Sequence, residues 1–323
     1  MAARIGYTLI LGFAALHAFA GQAPPVDSSE QSFKLTATAE LVLLDVSVKT
    51  AEGERAAGLT RNNFQIYEDG KLQTITYFST EDVPVTAGLV IDASGSMSMK
   101  HPEVVTAAIA FAQASNRNDE MFVVNFNDRA GLGLPQGVSF TDNIGILRQA
   151  LLLDKAQGRT ALYDAILLSL KQLDKGSRDR KALMLVSDGG DNCSTHRLEE
   201  VIQGVRESRA TIYTIGIFDD DDADRNPGML ERLARISGGE AFFPKHLADV
   251  AGICKGIAGD IRTRYTIGYV PVRSGEKGSL RKIKVAASQP GGRKLITHSR
   301  TSYFLPDIRP GAQSGKADKK PVL

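Results

Sequence analysis

Cysteine is scarce: only Cys193 and Cys254 occur in 323 residues. A disulfide-stapled scaffold is therefore excluded, and one bridge is the most the chain can form. In an oxidising compartment the two could pair, but spacing alone cannot bring them together. Cys254 sits in an apolar helical pattern, where a buried thiol is the expected state, so we expect no bridge. Charge of one sign is lacking as well, with Lys+Arg 39 against Asp+Glu 37. No basic block interleaves with aromatics, which argues against nucleic acid as a partner. Ala130-Gly131-Leu132-Gly133-Leu134 lacks both a third glycine and a following helix, so a nucleotide is not expected either. His101, His196, His246 and His298 show no ligand spacing and are expected at the solvent surface. The longest apolar run, residues 5–19, falls short of the roughly 20 residues a membrane span needs.

That run has another reading. Arg4 precedes it, and Ala18-Phe19-Ala20 offers a small-x-small cleavage site before Gly21. Residues 1–20 are expected to be a signal peptide, with an uncleaved anchor as the alternative. No cysteine lies near the cleavage point, so a lipid anchor there is not expected. The mature protein is then exported, periplasmic or extracellular, without a membrane span.

After a Pro/Ser/Gln/Glu-rich linker over 21–32, three zones follow. Residues 33–82 are strand-like. Asp69-Gly70 lies between the alternating runs 64–67 and 72–78, a strong hairpin signal because both turn residues tolerate positive φ. Residues 83–264 alternate between the two periods. Strands are predicted at 87–91, 121–126, 182–186, 211–217 and 241–243. Helices are predicted at 103–115, 144–153, 161–173, 198–208, 229–236 and 247–263. Near-continuous Val/Ile/Leu strands between amphipathic helices imply an α/β, doubly wound, mostly parallel sheet. Residues 265–305 return to strands at 265–270, 281–287 and 294–303. Neither β zone suffices for a sheet pair by itself. Together they are expected to form a β-sandwich flanking the α/β domain, ahead of a disordered tail over 306–323.

The chemistry gathers where apolar strands end. Leu89-Val90-Ile91 stops at Asp92-Ala93-Ser94-Gly95-Ser96, one carboxylate and two hydroxyls at alternate positions. Thr160 precedes a helix, and Ser187-Asp188-Gly189-Gly190 follows the strand at 182–186. Open α/β sheets bind ligands at this carboxyl edge, where loops on either side of the switch point part. Asp92, Ser94, Ser96, Thr160 and Asp188 are thus candidate metal ligands. Hard oxygens suit Mg²⁺, with Mn²⁺ possible, better than zinc. With only two carboxylates among them, a bound cation stays electrophilic and attracts a further anion. Taken singly, each piece has a plainer reading: Thr160 as a helix cap, Asp188-Gly189 as a turn.

These residues resemble the metal-ion-dependent adhesion site of the von Willebrand factor type A domain family. The matching elements are Asp92-Ala93-Ser94-Gly95-Ser96, Thr160 and Ser187-Asp188-Gly189, in the family's order, and the resemblance covers 83–264. Leu59-Thr60-Arg61-Asn62-Asn63-Phe64 and Glu68-Asp69-Gly70 look like an exported bacterial (acidobacterial-type) group with flanking β segments. The resemblance implies a metal-dependent binding module; the electrophilic Mg²⁺ suggests a protein partner's carboxylate as its ligand, and without an acid/base pair in reach no enzyme is expected. Arg159 departs from the glycine of many members, and its charge could repel the metal or recruit the acidic ligand.

Other signals are weaker. Asp220, Asp222, Asp224 and Glu231 mimic a calcium loop, but Arg225 stands where glycine is needed, so a solvated acidic loop is expected. Two rival functions stay open: a scaffold whose metal site is structural or vacant, and a Mg²⁺-dependent phosphohydrolase with Asp92 as nucleophile. The latter lacks a second Asp two residues on, where Ser94 stands.

Overall fold

The structure, a computed structural model, describes residues 41–153, 155–218, 225–271, 278–289 and 293–305. The expected signal peptide, linker and tail lie outside the described residues, as do 33–40 and the acidic run 219–224. Among the described residues no helix is long and apolar enough to cross a membrane.

Four strands come first: β1 (Val42–Lys49), β2 (Phe64–Glu68), β3 (Lys71–Gln73) and β4 (Ile75–Ser79). The alternating zone holds β5 (Val85–Asp92), α1 (His101–Ala114), β6 (Glu120–Phe126), β7 (Ala130–Leu132), α2 (Ile144–Leu151) and α3 (Leu162–Leu173). It continues with β8 (Arg180–Ser187), α4 (Leu198–Glu207), β9 (Thr211–Gly216), α5 (Pro227–Ser237), β10 (Ala241–Phe242) and α6 (Val250–Arg262). Then come β11 (Tyr265–Tyr269), β12 (Leu280–Ser288), β13 (Lys294–His298) and β14 (Ser302–Phe304).

The expected doubly wound domain is present. Its sheet runs β10-β9-β8-β5-β6-β7, parallel except for the β6–β7 hairpin. β5 is buried along its whole length, because helices cover both faces. Ala87, Leu89 and Ile91 pack with α1, α2 and α6, while Val90 faces the cluster built by α3, α4 and α5. β5 and β8 are neighbours, yet α1 leaves β5 for one face and α4 leaves β8 for the other. That is the switch point, and it opens a crevice at their carboxyl ends. The glycine-rich segment at 130–134 supplies β7, an edge strand that the sequence pattern did not suggest.

The flanking segments join in one antiparallel sheet, ordered β3-β2-β12-β13-β1-β11-β4 with β14 beside β12. β1 is shared. Val42–Val46 pairs with β11, and Ser47–Lys49 pairs with β13. Leu44, Val46, Ile66, Ile267, Tyr269, Ile283 and Val285, from both ends of the chain, meet in one buried cluster. By hydrogen bonding the strands form one continuous sheet around a shared core, so the expected β-sandwich is supported only in part. Asp69 (φ +48°) and Gly70 (φ +80°) form the expected hairpin turn between β2 and β3. Two predicted strands are broken. The run 72–78 splits at Thr74, and β4 crosses to pair with β11; the run 294–303 splits into β13 and β14.

A buried arginine joins the two parts. Arg264 is 2% exposed; its Nη1 donates to Tyr213 Oη at 2.7 Å and to Asp260 Oδ2 at 3.3 Å. Its Nη2 donates to the carbonyls of Asp45, Gly238 and His298. Asp260 also accepts from Ser47 of β1 and from Tyr213. Burial pushes the Asp260 carboxyl up, but the Arg264 charge and these hydroxyls outweigh it and hold the group below its ordinary range.

Candidate metal centre

β5 ends by turning its last side chain into the crevice. Asp92 Oδ1 accepts the Ser94 N–H at 2.8 Å, which turns the backbone out of the strand. Gly95–Met97 then makes one 3₁₀ turn, pinned by the fully buried Met97. Ser94 stays buried and Ser96 reaches the surface. From β8, Ser187 Oγ donates to Asp92 Oδ2 at 2.7 Å and accepts the Gly189 N–H at 3.0 Å. Asp188 Oδ1 accepts the Gly190 N–H at 3.0 Å, and its Oδ2 accepts from Ser96 Oγ at 2.6 Å. Ser94 and Ser96 hydroxyls lie 3.1 Å apart. Four predicted residues, Asp92, Ser94, Ser96 and Asp188, are therefore in one hydrogen-bonded constellation with Ser187.

Thr160 is placed by its backbone. Gly95 N–H donates to the Gly158 carbonyl at 3.0 Å, which ties its loop to the first one. Thr160 N–H donates to Asn192 Oδ1 at 2.9 Å, and its carbonyl accepts from the Asn192 N–H. No hydrogen bond among the described residues joins Thr160 to the other four. The cap reading fails too: α3 starts at Leu162, its N-cap is Ala161, and no side chain caps it from that position. The loop after β8 takes over that role, since Asp191 accepts the Tyr163 N–H and Ser194 the Asp164 N–H.

The electrostatics are those of a buried anionic pair. Asp92 is fully buried, and its pKa is pushed up to about 6 by that burial and by the neighbouring Asp188 carboxylate. Among the described residues no lysine or arginine forms an ion pair with either carboxylate. Unpaired buried charge is costly, so the pair calls for a cation. No cluster of three or more His, Cys, Asp or Glu side chains occurs among the described residues. With two carboxylates, hydroxyls and no nitrogen or sulfur donor, the set fits Mg²⁺ or Mn²⁺.

Three participants escaped the sequence reading as site builders. Ser187 and Asn192 orient ligands from the loop after β8, and Asp128 pairs with Arg159 at the rim (Nε to Oδ1, 3.3 Å). Only the Asp-Asn pair following Gly189-Gly190 could have pointed to Asn192. The histidine expectation also needs correction. His101 is buried at the start of α1. His196 is half-buried with Nδ1 2.7 Å from Asp164 Oδ1. Both cysteines are free; burial pushes the Cys254 thiol up to about 12.

Comparisons with known proteins follow this geometry. A model of the von Willebrand factor type A domain matches residues 88–253, which is 166 of 323 residues. An uncharacterized protein of Synechocystis sp. is 28% identical over 167 residues, covering 50% of this chain and 38% of that relative's own length. The chain is similar in fold to a von Willebrand factor type A protein from Catenulispora acidiphila, with a TM-score of 0.51 and 16% identity, covering 81% of this chain and 72% of that one. A further structure is proximal thread matrix protein 1 from the mussel byssus, in a form with a zinc-occupied MIDAS motif. It has a TM-score of 0.48 and 15% identity, covering 61% of this chain and 50% of that one. With over half its length matched by the family's model, this chain belongs to the von Willebrand factor type A domain family.

Proposed function

We propose that the protein is an exported, metal-ion-dependent binding module that recognises a carboxylate on a protein partner, within the bacterial group carrying flanking β segments. One observation carries the reading: two buried carboxylates and two serine hydroxyls from loops on both sides of the switch point converge, with no lysine or arginine among the described residues ion-paired to them. Asp92, Ser94, Ser96, Thr160 and Asp188 would hold the ion, with Ser187 and Asn192 orienting Asp92 and Thr160. Mg²⁺ held chiefly by neutral hydroxyls supplies a strongly electrophilic centre for an anionic oxygen. Ser96, exposed at the mouth, and Met99, 86% exposed three residues on, leave the site open to a macromolecule. Ser94 stands where a phosphohydrolase of this type needs its acid, so the site is read as binding without turnover.

Calorimetric titration of the mature protein with Mg²⁺ and Mn²⁺ tests the reading. Binding is expected in the parent and not in Asp92→Ala, and equal heats from both would overturn it. A scaffold reading draws on Leu41, Leu43 and Tyr77, partly exposed around Gly268 on the flanking sheet. Partner capture that survives chelation would favour that alternative.

A further inference from the structure

The loop joining α2 to α3 carries an arginine next in sequence to a candidate ligand. Gly158 touches the first metal loop through its carbonyl, and Thr160 is the next candidate ligand, so Arg159 stands between two contacts of the site. Its direction is imposed. Asp128 Oδ1, in the turn after β6, accepts both the Arg159 N–H at 3.2 Å and its Nε–H at 3.3 Å. Gly158 has φ +83°, and the Asp128 carboxylate fills the space a side chain there would need: Oδ2 lies 2.3 Å from the position of a Cβ. Only glycine lets the clamp close.

The clamp leaves the end of the side chain unused. Arg159 is 67% exposed, and its Nη groups make no hydrogen bond among the described residues. An exposed pair of this kind contributes little to stability, too little to explain so constrained a placement. Asp128 also offsets the guanidinium charge, which settles why a cation is tolerated beside a cation site. What remains is a planar fork of N–H donors, held at the rim and matched to a carboxylate.

We propose that Arg159 is a specificity-determining residue that takes a second carboxylate of the partner, next to the one entering the metal centre. The preferred ligand is then a diacidic segment, with two acidic groups close together, in place of an isolated Asp or Glu. This inference rests on the metal-dependent reading above.

The test loads the full mature chain with Mn²⁺ and follows water-proton relaxation while acetate, succinate or glutarate is added. In the parent, the better dicarboxylate is expected to displace bound water at about tenfold lower concentration than acetate, as one charge-assisted pair would give. In Arg159→Ala that advantage should fall to about twofold, the statistical value for two equivalent carboxylates. Arg159→Lys should lie between them, since an ammonium keeps the charge and loses the fork. Chelation of free Mn²⁺ is the same for every protein and cancels in the comparison. An undiminished advantage in Arg159→Ala, or none in the parent, overturns the proposal. So does loss of Mn²⁺ uptake or of the thermal transition in Arg159→Ala, which would make the residue a structural tie. Failure of the parent to take up Mn²⁺ overturns the underlying metal reading instead.

Discussion

At Asp92 two costs coincide, loss of water and the field of Asp188; an amide in its place removes the second and much of the first. Asp92→Asn keeps the acceptor for the Ser94 N–H, and Ser187 can turn its hydroxyl to accept from the new amide. At pH 7.5 in chelator the variant should therefore melt above the parent, by about 1–2 °C for each kcal/mol relieved in a chain of this size. Added Mg²⁺ should raise the parent's Tm and leave that of Asp92→Asn where it is. Differential scanning calorimetry with and without Mg²⁺ checks both. Thr160→Val offers a second check at this scale. It removes a proposed hydroxyl ligand while keeping the backbone N–H that Asn192 holds. Weaker Mg²⁺ binding without a change in the metal-free Tm is expected. Four of the five candidate ligands could be picked out because they lie where an apolar strand ends, and Thr160 because it precedes a helix. Ser187 and Asn192 were not, because their roles exist only once β5, β8 and the α3 loop are side by side.

Among elements, the seam between α6, β9 and the flanking sheet carries the largest stake. Arg264 serves two side chains and three carbonyls, so Arg264→Ala should cost about 3–5 kcal/mol in urea unfolding, the range for breaking a buried ion pair. Arg264→Lys should recover little, for one ammonium cannot reach groups on both sides of a guanidinium. His298, on β13, faces Glu240, Lys49, Arg264 and Asp260. Burial lowers its pKa, Lys49 and Arg264 add to the effect, and Glu240 and Asp260 oppose it. A lowered folded-state value means that the neutral ring stabilises the fold above its ordinary pKa of 6.5, and that this contribution is lost as pH falls through the lower value. His298→Gln should flatten the loss of stability below pH 6.5, read from denaturant midpoints across pH. Period and turn chemistry identified the strands and helices of the α/β zone. They could not show that β4 would abandon its hairpin for β11, far along the chain, or that β13 and β14 would part at Ser299, where β13 turns to β1 while β14 pairs with β12 alone.

For the molecule as a whole, the α/β domain is an insert whose lower seam belongs to its host. A fragment spanning 83–264 keeps both apolar clusters around β5 but loses the Asp45 and His298 carbonyls that Arg264 serves and the Ser47 hydroxyl bonded to Asp260. It should fold with a Tm well below that of the mature chain, by calorimetry, and restoring β1 alone should not suffice, because β13 supplies the other half. The joint between host and insert was visible in sequence only as a change of period near 83 and again near 264. What the joint does follows from the ladder that closes it. β4 leads into the insert and β11 leads out, and the two lie antiparallel and hydrogen-bonded from Ile75–Ser79 to Thr266–Tyr269. A pull between β1 and β14 would thus run through the β1–β13, β12–β13 and β12–β14 ladders, with β11, β4 and the insert outside the line of force. A carboxylate held at the proposed centre would stay mechanically isolated from tension across the host until the host sheet itself gave way.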